Sequence, residues 1–196
     1  MTGRRARADD PRPLVWNVAG LLGEGPGAAR DYAFDNVTID LGEDLRLARP
    51  IRGRVHLRRT NRGLLVDADV STELAMECAR CLKEIAVPVT AEFEQEARPS
   101  VDLQSGQPIA ADPADTEDDV IRLTEHHELD LERPVREAIQ LAEPIAPLCR
   151  DDCPGLCPVC GEPLETGMHD HPDEDVDPRL EALRGFRPAD ETAAED

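Results

Sequence analysis

An α+β fold, mainly antiparallel β-sheet with one or two short helices, is predicted by three features of the sequence. Residues 51–59 and 64–77 alternate apolar and polar around Thr60-Asn61-Arg62-Gly63, the pattern of a β-hairpin. Residues 84–97 alternate in the same way. A stretch over about 133–142 carries apolar residues at helical spacing. The sheet is thus expected to be hairpin-rich, either open or closed into something barrel-like.

Taken in order, residues 1–13 read as a disordered leader. Trp16 to Leu22 is a short apolar stretch closed by Gly23-Glu-Gly-Pro-Gly27, and Tyr32 to Ile39 suits a strand anchored by Tyr32, Phe34 and Val37. If Asn61 and Arg62 form the hairpin loop, Leu57 faces Val66, Val55 faces Ala68 and Gly53 faces Val70. The other face then pairs His56 with Asp67 and Arg54 with Asp69, so one register gives an apolar face and a charge-matched face together. In the third strand Ile85, Val87, Val89, Ala91 and Phe93 share one face, and Glu84, Glu92, Glu94 and Glu96 the other. Between the second and third strands, Cys78-Ala-Arg-Cys81 caps a second hairpin.

Residues 99–119, rich in Pro, Ser, Gln, Gly and Asp, read as a mobile loop, and Val120 to Leu131 as a further strand. Pro134 fits the first turn position of a helix with Val135, Ile139 and Leu141 or Ala142 facing inward; Pro144 and Pro147 end it. The organisation expected is a single β-rich domain over 14–161, closed by a cysteine cluster, then an acidic tail over 162–196 with a short helix near 178–186.

Composition narrows the function. The chain has 196 residues, a formal net charge of −20 and only 3% aromatic residues. An aliphatic core of this kind buries less area per residue, so a metal staple would help. The negative charge opposes non-specific contact with phosphates and favours basic partners, including ribosomal proteins. One segment runs against it: residues 46–62 hold Arg46, Arg49, Arg52, Arg54, Arg58, Arg59, Arg62 and His56 with no acid, a candidate RNA-binding strip. Its alternative is neutralisation by Asp67 and Asp69 across the hairpin. The N-terminal residues have no apolar signal region and no apolar run is long enough to cross a membrane, so a cytoplasmic location is expected.

Thiols stay reduced there, and six cysteines then point to metal. Their spacing is Cys78-x2-Cys81 and Cys149-x3-Cys153-x3-Cys157-x2-Cys160. Zinc favours sulfur and imidazole ligands in tetrahedral array, and Cys157-Pro-Val-Cys160-Gly161 has the form of a C-terminal zinc knuckle. His169-Asp-His171 lies close behind; Cys157, Cys160, His169 and His171 can form one site, or the histidines can belong to a solvated tail. His126 and His127 read as surface residues, and His56 as a partner of Asp67. Enzyme readings fare worse. The first CxxC joins two strands rather than opening a helix, and no phosphate loop, nucleophile elbow or HExxH occurs. A four-thiolate site leaves no open position for catalysis.

Three segments carry a resemblance: Cys78-Ala-Arg-Cys81-Leu82 after the Gly63-Leu-Leu-Val66 strand, the run from Leu141 through Cys149, Cys153, Cys157 and Cys160 to Gly161, and Asp177-Pro-Arg-Leu180. Together these resemble the bacterial large ribosomal RNA subunit accumulation proteins, the YceD-like family, over roughly residues 14–186. The resemblance implies a non-enzymatic ribosome-biogenesis factor that promotes accumulation of large-subunit 23S rRNA. Its implied partners are the large-subunit precursor, ribosomal proteins or rRNA, with no membrane and no small-molecule substrate. Family patterns also imply that Cys78, Cys81, Cys149 and Cys153 form a primary structural zinc site, with sulfurs roughly 3.5–4.5 Å apart. The same patterns carry a CxC where this chain has His169-Asp-His171, which favours a second site. The rival classes are a zinc-ribbon adaptor or regulator that binds protein only and, third, a thiol redox protein.

Overall fold

A computed structural model describes residues 4–5, 12–110, 120–166, 171 and 179–180. The expected leader thus falls largely outside the described residues, as do positions 111–119 of the expected loop and all of the expected tail helix except Arg179 and Leu180. Two compact units divide the chain, Met1–Cys153 and Pro154–Asp196.

The first unit is mostly β-sheet with two helices. In chain order it holds β1 (Arg4–Arg5), β2 (Val15–Asn17), α1 (Ala19–Leu22), β3 (Ala29–Val37), β4 (Arg46–Arg59), β5 (Leu64–Glu77), β6 (Glu84–Arg98), β7 (Val120–Arg122), β8 (Glu128–Asp130) and α2 (Glu132–Leu141). The main sheet runs β1-β3-β4-β5-β6-β7, and β2 pairs with β8 apart from it. The barrel alternative is thereby corrected: the sheet is open, its edges being a two-residue and a three-residue strand that each pair, in parallel, with one neighbour only. Such short edges offer too few ladder bonds to close on each other. The core instead forms where one face of the sheet, through Val55, Leu57, Val66, Ala68 and Val70, meets Leu14, Val18, Leu21, Leu129, Leu131, Val135 and Ile139 from the elements around it.

The central hairpin follows the alternation residue by residue. Leu57 is opposite Val66, Val55 opposite Ala68, Gly53 opposite Val70, His56 opposite Asp67 and Arg54 opposite Asp69. Gly53 is needed for packing: a Cβ there would sit 2.5 Å from the Phe34 ring and 2.6 Å from the Asp69 carbonyl oxygen. The β4 register shifts between Arg49 and Arg52, around Pro50, which has no N–H to give a ladder. β6 tolerates Pro88 because β7 reaches Glu96–Arg98, so among the described residues β5 alone pairs with the strand at Pro88.

Two local expectations change. Val120 to Leu131 is two strands, split by a turn in which Thr124 N–H donates to the Glu128 carbonyl and His127 takes φ +56°. Helix α2 starts at Glu132, so Pro134 is its third residue; its missing N–H is still harmless there, because the first four helical N–H groups have no partner within the helix. Its buried face is Pro134, Val135, Ala138 and Ile139, and of the two residues expected to end that face Ala142 packs against the core while Leu141 is 88% exposed. Residues 100–109 close into a small loop, with Val101 bridged to Pro108 and the Asp102 carboxylate accepting from the backbone N–H groups of Gln104 and Ser105.

Candidate metal centre

The turn between β5 and β6 is a tight knuckle. Leu82 N–H donates to the Cys78 carbonyl (2.9 Å) and Cys78 N–H to the Lys83 carbonyl (2.9 Å). These bonds fold Cys78 and Cys81 to one side. After α2 the chain passes Pro144 and Pro147 and returns to this turn, where Ala79 N–H donates to the Pro147 carbonyl (2.8 Å). That return brings Cys149 and Cys153 against the first pair. Cys78 Sγ lies 3.8 Å from Cys153 Sγ, and Cys81 Sγ 3.8 Å from Cys149 Sγ. All four sulfurs lie within 4.8 Å of one another. Four thiolates on a tetrahedral ion with ~2.3 Å bonds stand about 3.8 Å apart, whereas a disulfide needs about 2.05 Å. None of the six cysteines is in a disulfide. The group can hold a metal ion.

Its chemistry as thiols is unequal. Backbone N–H groups of Cys81, Arg80 and Cys149 hold the Cys78 thiol down at about 6. Cys149 is pushed up to about 12, first by its bond with the Cys153 side chain and then by burial. Cys81 is raised as well: the Lys83 N–H acts to lower it, but burial and the thiols of Cys78 and Cys153 outweigh that. The Cys78 thiolate is thus ready at neutral pH, and an entering cation must displace the protons of Cys81 and Cys149. Cys78 and Cys153 are buried, and Arg80 Nη1 donates to the Cys153 carbonyl (2.9 Å), fastening the turn to the later segment.

The second unit repeats the knuckle backbone. Gly161 N–H donates to the Cys157 carbonyl (2.9 Å) and Cys157 N–H to the Glu162 carbonyl (2.8 Å). Cys157, Cys160 and His171 each place one ligand atom within 4.8 Å of the others, with Cys157 Sγ 3.3 Å from His171 Nε2. His169 lies outside the described residues. The cysteines therefore fall into two groups, and the four-thiol group sits at the β5–β6 turn in the body of the chain rather than at a C-terminal knuckle.

The arginine strip is split among several roles. Arg52, Arg54 and Arg58 lie exposed on one face of β4 with His56. Arg46 faces Glu84 at 3.7 Å and Arg49 meets Glu73 at 3.0 Å. Arg59 donates to the carbonyls of Leu22, Thr60 and Gly63, and Arg62 is exposed in the hairpin loop. His56 bonds Asp31 (2.7 Å) on β3 rather than the Asp67 opposite it on β5. Of the other histidines, His126 is exposed and His127 half-buried.

Leu82 was not singled out as a site residue, although it is the one left-handed residue in the first knuckle (φ +58°). Its signal was the position after the second cysteine, which Gly161 occupies in the other knuckle.

No helix among the described residues is long and apolar enough to cross a membrane. No solved structure matches the chain. Uncharacterized proteins of Mycobacterium tuberculosis and Mycobacterium bovis are each 36% identical over 191 residues, covering 92% of this chain and 84% of the relative. An uncharacterized protein of Mycobacterium leprae is 31% identical over 179 residues, covering 85% and 74%. The family model for the large ribosomal RNA subunit accumulation protein YceD matches residues 66–187, a span that takes in all six cysteines. The chain belongs to the YceD family of large ribosomal RNA subunit accumulation proteins.

Proposed function

We propose that the chain is a non-enzymatic ribosome-biogenesis factor that promotes accumulation of large-subunit 23S rRNA, with zinc as a structural clasp. Family membership supports the ribosomal role. The observation that carries the clasp is the meeting of four sulfurs from two segments 75 residues apart, at the spacing a tetrahedral ion requires. Cys78, Cys81, Cys149 and Cys153 are the ligands in this reading, and zinc is the ion that an all-thiolate tetrahedral set suits best. Cys157, Cys160 and His171, with His169 as the fourth donor, form a second zinc site. The work of the metal is mechanical: it ties the segment after α2 to the end of the sheet, and every ligand position is filled by protein.

The cytoplasm is the compartment this role implies. RNA contact would be sought at the exposed Arg52, Arg54, Arg58 and Arg62, of which Arg52 already donates to the Ser71 hydroxyl (3.1 Å). Asp31 and Asp35 on β3 and Asp67 and Asp69 on β5 flank that column, so its attraction for phosphate is partly cancelled.

The test is a deletion strain complemented with wild type or Cys81→Ser. Wild type should restore 23S rRNA and co-sediment with large-subunit precursors; Cys81→Ser should restore neither fully. Normal 23S rRNA in the deletion strain would sink the ribosomal reading.

A further inference from the structure

A groove of about 510 Å³ lies beside the four-thiol cluster, between the β5–β6 knuckle and the segment that follows α2. Its apolar lining is Met76, Ala79, Leu82, Pro144, Ile145 and Pro147, and its charged lining residues are Glu77 and Glu143, both acidic. Two of the apolar side chains are spread to solvent: Leu82 is 59% exposed and Ile145 fully so. Leu141, between lining residues Gln140 and Glu143 in the chain, is 88% exposed. Isolated exposed apolar residues are common, but Leu82 and Ile145 line one concavity, and Leu141 is a chain neighbour of its lining.

Leu82 adds an independent observation. The residue after the second cysteine of the knuckle is left-handed, φ +58° at Leu82 and +74° at Gly161. Glycine takes that conformation freely and leucine does not. A strained backbone here holds a large apolar side chain mostly out in water, so packing returns no more than its buried remainder. The walls are fixed by the Ala79 N–H bond to Pro147 and by the sulfur cluster behind them.

We propose that this groove docks a basic, apolar-anchored segment of a partner protein. An aliphatic side chain of the partner sits between Leu82 and Ile145, and its Lys or Arg neighbours meet Glu77 and Glu143. Nucleic acid suits the groove poorly, because among the described residues the lining offers no cation to phosphate. The formal charge of −20 draws a basic segment towards the chain and fits the same occupant. The proposal rests on the clasp reading for the fixed position of its walls.

The test uses the full chain with its metal, labelled at Leu and Ile methyl groups for NMR. The probe is a short synthetic peptide with one Leu flanked by Arg; controls are the same peptide with Ser for Leu, and a short RNA. The Leu peptide should shift the methyl signals of Leu82 and Ile145, and the Ser peptide should bind about tenfold more weakly, as for an anchor residue. Leu82→Gly and Ile145→Ser should each weaken binding about tenfold while zinc content stays at the wild-type value. Glycine at position 82 suits the backbone, so a loss of binding there reports the side chain. Unchanged affinity in both variants overturns the proposal. So does RNA shifting these methyls where the peptide does not, or a concentration-dependent shift without peptide, which would make the groove an interface between copies. Zinc-loaded protein that ignores the peptide overturns the groove alone; zinc-free protein that binds it overturns the clasp alone.

Discussion

The two knuckles share one backbone and differ in what completes them. In each, the residue after the second cysteine donates its N–H to the first cysteine's carbonyl, and the first cysteine donates to the residue beyond. The first knuckle draws its remaining ligands from far away, Cys78 meeting Cys153 across 75 positions. The second meets His171 across 14 positions from Cys157. Closing the longer loop costs about 1.5 kcal/mol more, from the logarithmic dependence on length. A metal at the first site therefore holds tertiary structure together, and a metal at the second orders only its own unit. The same local motif can thus serve as a clasp or as a local staple, according to where its partners come from.

The largest expected effect separates the two sites by stability. Cys81→Ser should lose about one equivalent of zinc and destabilise the first unit by about 3 kcal/mol or more, because three thiols are left without the ion that joined them. For a chain of this size that lowers the main melting transition by about 6–12 °C. Cys160→Ser should also lose one equivalent, yet move that transition by less than about 2 °C. Elemental analysis and calorimetry read both. Equal melting losses would break the comparison, and zinc and melting temperature unchanged in Cys81→Ser would remove the clasp.

A smaller effect is kinetic. Cys78 and Cys153 are 0% and 1% exposed, whereas Cys160 is exposed and His171 half-buried. A chromogenic chelator should therefore strip zinc in two phases, with the fast phase absent in Cys160→Ser and the slow phase absent in Cys81→Ser. A single phase common to both sites would show that burial does not distinguish them.

Much of the first unit could be read from the chain because its signals were local. The β4–β5 register followed from alternation plus a loop at Asn61 and Arg62, since a slip of one residue would have turned every apolar side chain to water. The edges were not legible: β1 and β7 are too short to carry a pattern, and both pair in parallel across long connections. The 120–131 segment was misread because its turn uses Glu125, His126 and His127, with no glycine or proline to mark it. Periodicity left Leu141 or Ala142 as the last inward residue; Ala142 packs against the core, and Leu141, the last helical residue, is exposed. Thiol spacing marked every cysteine. Bringing Cys149 and Cys153 to the first pair depends on a tertiary closure that spacing alone does not encode. The strain at Leu82 was hidden for a simpler reason: left-handed positions are sought at glycine.

The smallest expected effect comes from exchanging the two left-handed residues. Gly161→Leu places a Cβ where nothing lies within 4 Å among the described residues, so the expected cost is that of the backbone conformation. That cost is about 1–2 kcal/mol for a residue other than glycine. It should appear as an affinity of the second site for zinc lowered about five- to thirty-fold in a competition titration. Leu82→Gly relieves a strain of the same size, but it also gives up the part of a 59% exposed side chain that is buried. At ~25 cal/mol per Å² that part contributes on the order of 1–2 kcal/mol, so the two changes nearly cancel. The exchange should therefore be unequal: weaker zinc binding at the second knuckle, and a melting temperature at the first within about 2 °C of wild type. If Leu82→Gly instead cost several degrees, the leucine would be there for packing, its strain would be explained by the core, and the groove would lose its strongest argument. If it left stability unchanged while peptide binding fell, the first knuckle would have given up glycine's ease for a side chain that another molecule uses.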